Sequence, residues 1–140
     1  MQIKLIDFGL KNSNIAPPSS AHYNDAGCDV RTTEFLSLQP HETRKVSLGF
    51  GVEIPDGYMG LILPRSGFNS QGITILFSPV DSGYRGCLYA NVLNTSEKVF
   101  NIVKGDRIGQ LVIVPCVIAN YVWEKGEERG EGGFGSTGTN

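Results

Sequence analysis

Apolar residues alternate with polar residues or glycine over the longest regular stretch of this chain. The alternation begins at Lys45 and continues through Val46, Leu48, Phe50, Val52 and Ile54. A period of two is that of a strand with one buried face. The pattern therefore predicts one half-buried strand of about ten residues.

Shorter apolar runs predict further strands. We expect them around Ile3 to Phe8, 59–63, 88–92 and 99–103. The stretch from Ile108 to Ile118 is almost continuously apolar, as in a strand buried on both faces. Turn formers separate these runs, and only residues 66–71 could form a turn or two of helix. Many short strands with frequent turns are typical of an all-β barrel or sandwich.

The last sixteen residues, KGEERGEGGFGSTGTN, contain a single apolar side chain, Phe134. The pattern predicts a folded domain over residues 1–124 and a flexible tail over residues 125–140 when nothing is bound. Glycine backbone can wrap closely around an anion, and Arg129 offers a planar fork of donors for a phosphate. A solvated glycine-rich extension fits the composition equally well.

Composition narrows the function classes. A chain of 140 residues with net charge −2 is one domain and does not hold nucleic acid through overall basicity. No apolar run is long enough for a membrane span, and we recognise no signal peptide at the start. The three cysteines form no CxxC pair, which fits a reducing cytoplasm.

Several short segments could each carry chemistry, although each also fits an ordinary turn. Arg65 follows a predicted strand, where its guanidinium could bind phosphate oxygens. Asp81 stands near Tyr84 and Arg85, as a general base with positioning groups would. Gln110 interrupts an apolar run, and a buried amide there needs hydrogen-bond partners.

The order and spacing of five segments are more specific than any one of them. AGCDV, PRSG, VDSGYRG, GDRIGQL and RGEGGFGSTG resemble the five motifs of the homotrimeric deoxyuridine triphosphatases (dUTP pyrophosphatases) across residues 25 to 138. The resemblance implies a distorted β-jelly-roll (β-clip) fold and a homotrimer with active sites shared by all three subunits. The C-terminal tail would be the lid of each site.

The resemblance also implies a reaction. Water would attack the α-phosphorus of dUTP and give dUMP and pyrophosphate, keeping uracil out of DNA and supplying dUMP for thymidylate synthesis. Mg²⁺ would be held by the triphosphate and by waters, with no direct side-chain ligand. Nucleic acid and membranes would not be partners, and the enzyme would be cytoplasmic.

Site residues are carried over from the resemblance by position. Asp81 resembles the base that deprotonates the water, and Gln110 the amide that holds it. Asp29 resembles an acidic residue near the water and metal network. The substrate-binding residues would be Arg65, Ser66, Gly67, Val80, Tyr84, Arg129, Phe134, Gly135, Ser136 and Thr137. Among them, the Tyr84 ring would pack on the sugar and leave no room for a 2′-hydroxyl.

The sequence departs from the family pattern before Asp81. The family commonly has a glycine-containing hairpin there whose backbone reads uracil. Here residues 75–80 contain no glycine, and Pro79 has no N–H to donate. Gly109 stands where alanine is frequent in the family, and we expect it to be tolerated.

Two other functions fit the sequence less well. A dCTP deaminase shares the fold, but it needs a carboxylate where this chain has Asn91. A neutral amide cannot transfer the proton. A non-catalytic interaction protein on this fold is disfavoured because Arg65, Asp81, Gln110 and Arg129 are all present.

Overall fold

The computed structural model describes residues 1–126, and these form an all-β domain. The two helices of this region are short: a 3-10 helix at Leu10–Asn12 and α1 at Ser66–Asn69. The strands are β1 (Lys4–Asp7), β2 (Gly27–Arg31), β3 (Leu36–Leu38), β4 (Thr43–Ser47), β5 (Phe50–Glu53), β6 (Tyr58–Pro64), β7 (Ile73–Leu76), β8 (Tyr89–Asn94), β9 (Phe100–Ile102) and β10 (Arg107–Pro115).

The strands form four small antiparallel sheets around one core. Their orders are β1-β5, β2-β10-β6, β3-β9 and β4-β8-β7. Each strand from β2 to β10 contributes at least one buried apolar side chain, and Leu111 is the last fully buried apolar residue within residues 1–126. Residues 116–126 add no buried side chain to this core.

The long alternating stretch is two strands, so the prediction of a single strand was wrong. The five apolar residues are buried as expected. However, the chain turns at Gly49, which has a φ of 78° and accepts hydrogen bonds from the backbone N–H groups of Phe8 and Leu10. Before this turn β4 pairs with β8, and after it β5 pairs with β1. Glycine permits the positive φ that moves the chain between sheets.

The strand predicted over residues 108–118 is also shorter than expected. β10 ends at Pro115, and Val117 and Ile118 are 89% and 73% exposed. Tyr121, Val122 and Trp123 are exposed as well. We call residues 116–126 the C-terminal arm. Neither helix of the described region is long and apolar enough to cross a membrane.

Candidate active site

The first group of predicted site residues lies on the sheet formed by β2, β10 and β6. Gln110 in β10 is directly opposite Asp29 in β2 and directly opposite Leu63 in β6. Side chains of directly opposite residues leave the same face of a sheet, with Cβ atoms about 5 Å apart. The Gln110 amide is half-buried rather than buried, and the Asp29 side chain is 28% exposed. A carboxylate and an amide thus stand side by side at a surface that a ligand can reach.

Arg65 joins this group from the end of β6. It lies immediately before α1, and its Nη1 donates to the backbone oxygen of Arg107 at 3.1 Å. Ser66 and Gly67 follow in the first turn of the helix and are exposed. The PRSG segment therefore presents a half-buried guanidinium, a hydroxyl and an open backbone next to Asp29 and Gln110.

Sequence reasoning missed Arg107, which connects these residues. Its guanidinium Nη1 lies 3.5 Å from Asp29 Oδ2, while its carbonyl oxygen holds Arg65. The register of β10 against β2 shifts between Arg107 and Gly109. Such a bulge changes where a side chain points. Counting alternate residues back from Gln110 therefore does not predict the direction of the Arg107 side chain. We call Asp29, Arg65, Arg107 and Gln110 the polar half-site.

The second group surrounds a cavity of about 260 Å³ between the end of β7 and the start of β8. β7 pairs with β8 only as far as Leu76, opposite Asn91. The chain then leaves this sheet and reaches the edge of the sheet formed by β2, β10 and β6, where Val80 exchanges two backbone hydrogen bonds with Gly60 of β6, at 2.8 and 2.9 Å. Pro79, Val80, Asp81, Tyr84 and Asn91 are among the lining residues. We call Val80, Asp81 and Tyr84 the cavity half-site.

A tight turn presents Asp81 and Tyr84 together. The Tyr84 amide donates to the Asp81 carbonyl at 3.0 Å, and Tyr84 Oη donates to the Cys87 carbonyl at 2.7 Å. The ring folds over Gly86, where a Cβ would lie only 2.7 Å from Tyr84 Cζ. The Asp81 carboxylate is exposed, and no hydrogen bond or ion pair within residues 1–126 engages it. It is a free acceptor at the mouth of the cavity.

One chain does not bring the two half-sites together. Gly60 pairs with Val80 on one side and with Ile113 on the other, whereas Gln110 lies opposite Leu63. Val80 and Gln110 therefore flank β6 on opposite sides, three residues apart along it. With strand spacings near 4.8 Å and a rise near 3.3 Å per residue, their Cα atoms are roughly 14 Å apart.

Several predicted residues lie outside the described part of the chain. These are Arg129, Phe134, Gly135, Ser136 and Thr137. The boundary between a domain at 1–124 and a lid at 125–140 also stays a prediction.

Cys28 is half-buried and lies next to Asp29 in β2. Burial raises the pKa of the Cys28 thiol, with a smaller contribution in the same direction from the nearby Asp29 charge. Cys28, Cys87 and Cys116 are all free thiols. A thiol with a raised pKa is a poor nucleophile at neutral pH.

Gly109, which stands where the family often has alanine, is closely surrounded by neighbouring atoms. A Cβ at Gly109 would lie 2.7 Å from Ile75 Cδ1 and 2.8 Å from the Leu63 backbone oxygen. Leu63 cannot move its carbonyl without disturbing the pairing of β6 with β10. An alanine would therefore fit poorly in this chain.

Comparison with known proteins matches this chain to one family over most of its length. The model of the dUTPase family matches residues 12–138. The deoxyuridine 5′-triphosphate nucleotidohydrolase of Clostridium kluyveri is 40% identical over 134 residues, which cover 91% of this chain and 94% of that protein. The enzyme of the same name from Tropheryma whipplei is 41% identical over 128 residues, covering 86% of this chain and 88% of its own length.

Solved structures of phage dUTPases have the same fold. The dUTPase of Staphylococcus bacteriophage 80alpha, solved with dUPNHPP, superimposes with a TM-score of 0.79 at 30% identity and covers 99% of both chains. A mutant dUTPase from phage phi11 of S. aureus, described for its coordination of a structural Mg(II) ion, gives a TM-score of 0.81 at 26% identity. That match covers 91% of this chain and 99% of the other.

Proposed function

This chain belongs to the dUTPase family, and on that premise we propose that it hydrolyses dUTP to dUMP and pyrophosphate. The observation that carries the proposal is the pair of half-sites, one able to hold a nucleoside and the other a polyphosphate. The all-β jelly-roll architecture is that of the family. Deamination is disfavoured because Asn91, which lines the cavity, offers only a neutral amide.

The cavity half-site is the proposed nucleoside site. The exposed part of the Tyr84 ring provides a flat surface for the deoxyribose, and the cavity behind it can take the base. Asp81 lies at the mouth, where the α-phosphate would follow the sugar. Its free carboxylate can accept the proton of an attacking water.

The polar half-site is the proposed triphosphate site. Arg65 offers a planar fork of donors to phosphate oxygens, and Ser66 and Gly67 add a hydroxyl and an open backbone. Gln110 can hold the attacking water through its amide oxygen. Arg107 holds the carboxylate of Asp29 and the guanidinium of Arg65 in place.

We propose that the two half-sites meet between subunits of a homotrimer. Within one chain the Cα atoms of Val80, which precedes Asp81, and Gln110 are roughly 14 Å apart on opposite sides of β6, so a site that uses both half-sites is better supplied by two subunits. The exposed apolar C-terminal arm supports an assembly, because isolated domains rarely expose so many large apolar side chains in one segment. The third subunit would supply Arg129, Phe134, Gly135, Ser136 and Thr137 as a lid.

The chemical step follows from this arrangement. Asp81 takes a proton from water as the water oxygen bonds to the α-phosphorus. The bond from the α-phosphorus to the oxygen that bridges the α- and β-phosphates breaks, and pyrophosphate leaves with that oxygen. Positioning and neutralisation of charge carry most of such a reaction, and Arg65 contributes a fixed positive charge.

Mg²⁺ is the cofactor of the reaction, and the residues present fit it. Asp29 presents a partly exposed carboxylate on the polar half-site, and carboxylate oxygen, phosphate oxygen and water are the ligands that Mg²⁺ prefers. When bound, the ion neutralises phosphate charge. Asp29 would orient waters of its coordination shell. A cytoplasmic location and a role in keeping uracil out of DNA stay predictions.

Pyrophosphate release tests the proposal directly. The purified chain should release pyrophosphate from dUTP in the presence of Mg²⁺, with much lower rates from UTP, dCTP and dTTP. Chelation of the metal should abolish the release. Loss of ammonia from dCTP, or equal hydrolysis of all four nucleotides, would contradict the proposal.

A further inference from the structure

The segment that follows the Tyr84 turn lies alongside β5. The Leu88 amide donates to the Phe50 carbonyl at 2.8 Å. Further along, Arg85 Nη1 lies 2.9 Å from Glu53 Oε2. The chain from Arg85 to Leu88 is thus attached to β5 at both ends.

Gly51 and Gly86 meet between these two attachments. A Cβ on Gly51 would collide with the Gly86 carbonyl oxygen and lie 3.2 Å from the Gly86 carbonyl carbon. Gly51 has no positive φ, so its backbone conformation does not require glycine. Glycine is needed at position 51 because two main chains are in direct contact there, which leaves no room for a side chain.

Gly86 is also in close contact with Tyr84. A Cβ on Gly86 would lie 2.7 Å from Tyr84 Cζ and 3.0 Å from Cε1. Gly86 is therefore in close contact with both the Tyr84 ring and Gly51. We call these three residues the Tyr84–Gly86–Gly51 stack.

We propose that Gly51, which lies outside the five motifs, is a positioning residue for the Tyr84 ring. It sets how far the ring lies from β5, and thereby the preference for deoxyribose over ribose. This inference rests on the proposed function, in which the ring leaves no room for a 2′-hydroxyl. Exclusion of this kind depends on a steric penalty against the wrong ligand. Any group added at Gly51 pushes Gly86 and the Tyr84 ring away from β5. The position from which the ring excludes a 2′-hydroxyl then changes.

Gly51→Ala tests the stack through substrate preference. The ratio of kcat/KM for dUTP to that for UTP should fall by about tenfold. Tyr84→Ala, which removes the ring, gives the scale of a complete loss. Val52→Ala is the matched control, because Val52 is the next residue of β5 and is fully buried in the core. It should lower the melting temperature and leave the ratio unchanged.

A second variant covers the case in which Gly51→Ala does not fold. Glu53→Gln removes the charge that holds Arg85 and changes only a partly exposed side chain. It should lower the ratio by about threefold. Glu97→Gln, which weakens the exposed pair with His41, is its control and should have no effect. A folded Gly51→Ala with the parent ratio, or Glu53→Gln with the parent ratio, would overturn the inference.

A spectroscopic measurement separates this inference from the proposed function. In protein labelled with 3-fluorotyrosine, the Tyr84 resonance can be assigned with Tyr84→Phe. Its ¹⁹F shift should change in Gly51→Ala and stay constant in Val52→Ala. Absence of pyrophosphate release by the parent enzyme would defeat the proposed function, and with it the effect on sugar preference, while the ¹⁹F shift would still report whether Gly51 positions the ring. An unchanged ¹⁹F shift in Gly51→Ala would defeat the positioning role of Gly51 and leave the proposed function standing.

Discussion

Gln110 lies directly opposite Asp29 on the paired strands β10 and β2, so that an amide and a carboxylate share one face of the sheet. The pair is linked through Arg107 to the guanidinium of Arg65. The turn that carries Asp81 is separate from this connected group.

Asp81→Asn should reduce the rate of dUTP hydrolysis by about 10²–10⁴ because it removes the general base while keeping the side-chain size. Binding of a non-hydrolysable dUTP analogue, measured by calorimetry, should persist. Asp56→Asn is a suitable control, since Asp56 accepts a hydrogen bond from Ser82 Oγ on the same turn but does not line the cavity. A rate above about a tenth of the parent in Asp81→Asn would argue against its assignment.

Mixing two inactive variants should restore activity if the half-sites meet between subunits. Asp81→Asn and Gln110→Ala are each expected to be nearly inactive alone. When equal amounts are refolded together and assemble at random, about a quarter of all sites would combine an intact Asp81 with an intact Gln110 from a neighbour.

Light scattering on the parent should give a mass near three times 15.2 kDa. A fully active monomer would exclude a shared site. So would the absence of recovered activity in trimers shown by mass spectrometry to be mixed.

Arg107→Met should lower kcat for dUTP by about tenfold while the fold is retained, because Asp29 loses its charged neighbour. In the double variant with Asp29→Asn the two losses should be less than additive, since both disturb the same interaction. Arg107→Lys should recover part of kcat. Fully additive losses would mean that Arg107 does not act through Asp29.

Truncation after Glu128 should leave the melting temperature nearly unchanged, since every fully buried apolar residue within residues 1–126 precedes residue 112. Turnover should fall by orders of magnitude because the proposed lid, with Arg129 and Phe134, is removed. Differential scanning calorimetry and pyrophosphate release check the two halves of this prediction. Normal turnover would show that the tail is only an extension, and unfolding would show that it is structural.

Gly109→Ala should destabilise the protein by about 1–3 kcal/mol because the added methyl overlaps the Leu63 carbonyl and the Ile75 side chain. Ile75→Val in the same chain should recover part of the loss by removing the Cδ1 contact. Gly83→Ala is the control, since a Cβ at that position meets nothing within 4 Å. Urea unfolding measures all three, and equal stability of Gly109→Ala and Gly83→Ala would contradict the prediction.

Hydrophobic alternation was sufficient to predict the fold class and the buried residues from Val46 to Ile54. It could not predict the turn at Gly49, because the alternating pattern continues through the point where the chain changes sheets. Strands β3 and β7 were not predicted.

The candidate site shows a similar limit. The residue types and their order pointed to Arg65, Asp81 and Gln110. The contribution of Arg107 depends on a bulge, and the stack on Gly51 depends on two segments that are distant in sequence. Both follow from register and close packing, which a single sequence does not display.

The C-terminal arm also determines what the intrinsic tryptophan fluorescence of this protein measures. Trp123 is the single tryptophan of the chain, and its side chain is fully exposed within the arm. Its intrinsic fluorescence should therefore follow events at the arm and respond little to the packing of the core. A blue shift of the Trp123 emission maximum on concentrating the protein would show that the arm packs against a neighbouring chain, and the measurement needs no added dye.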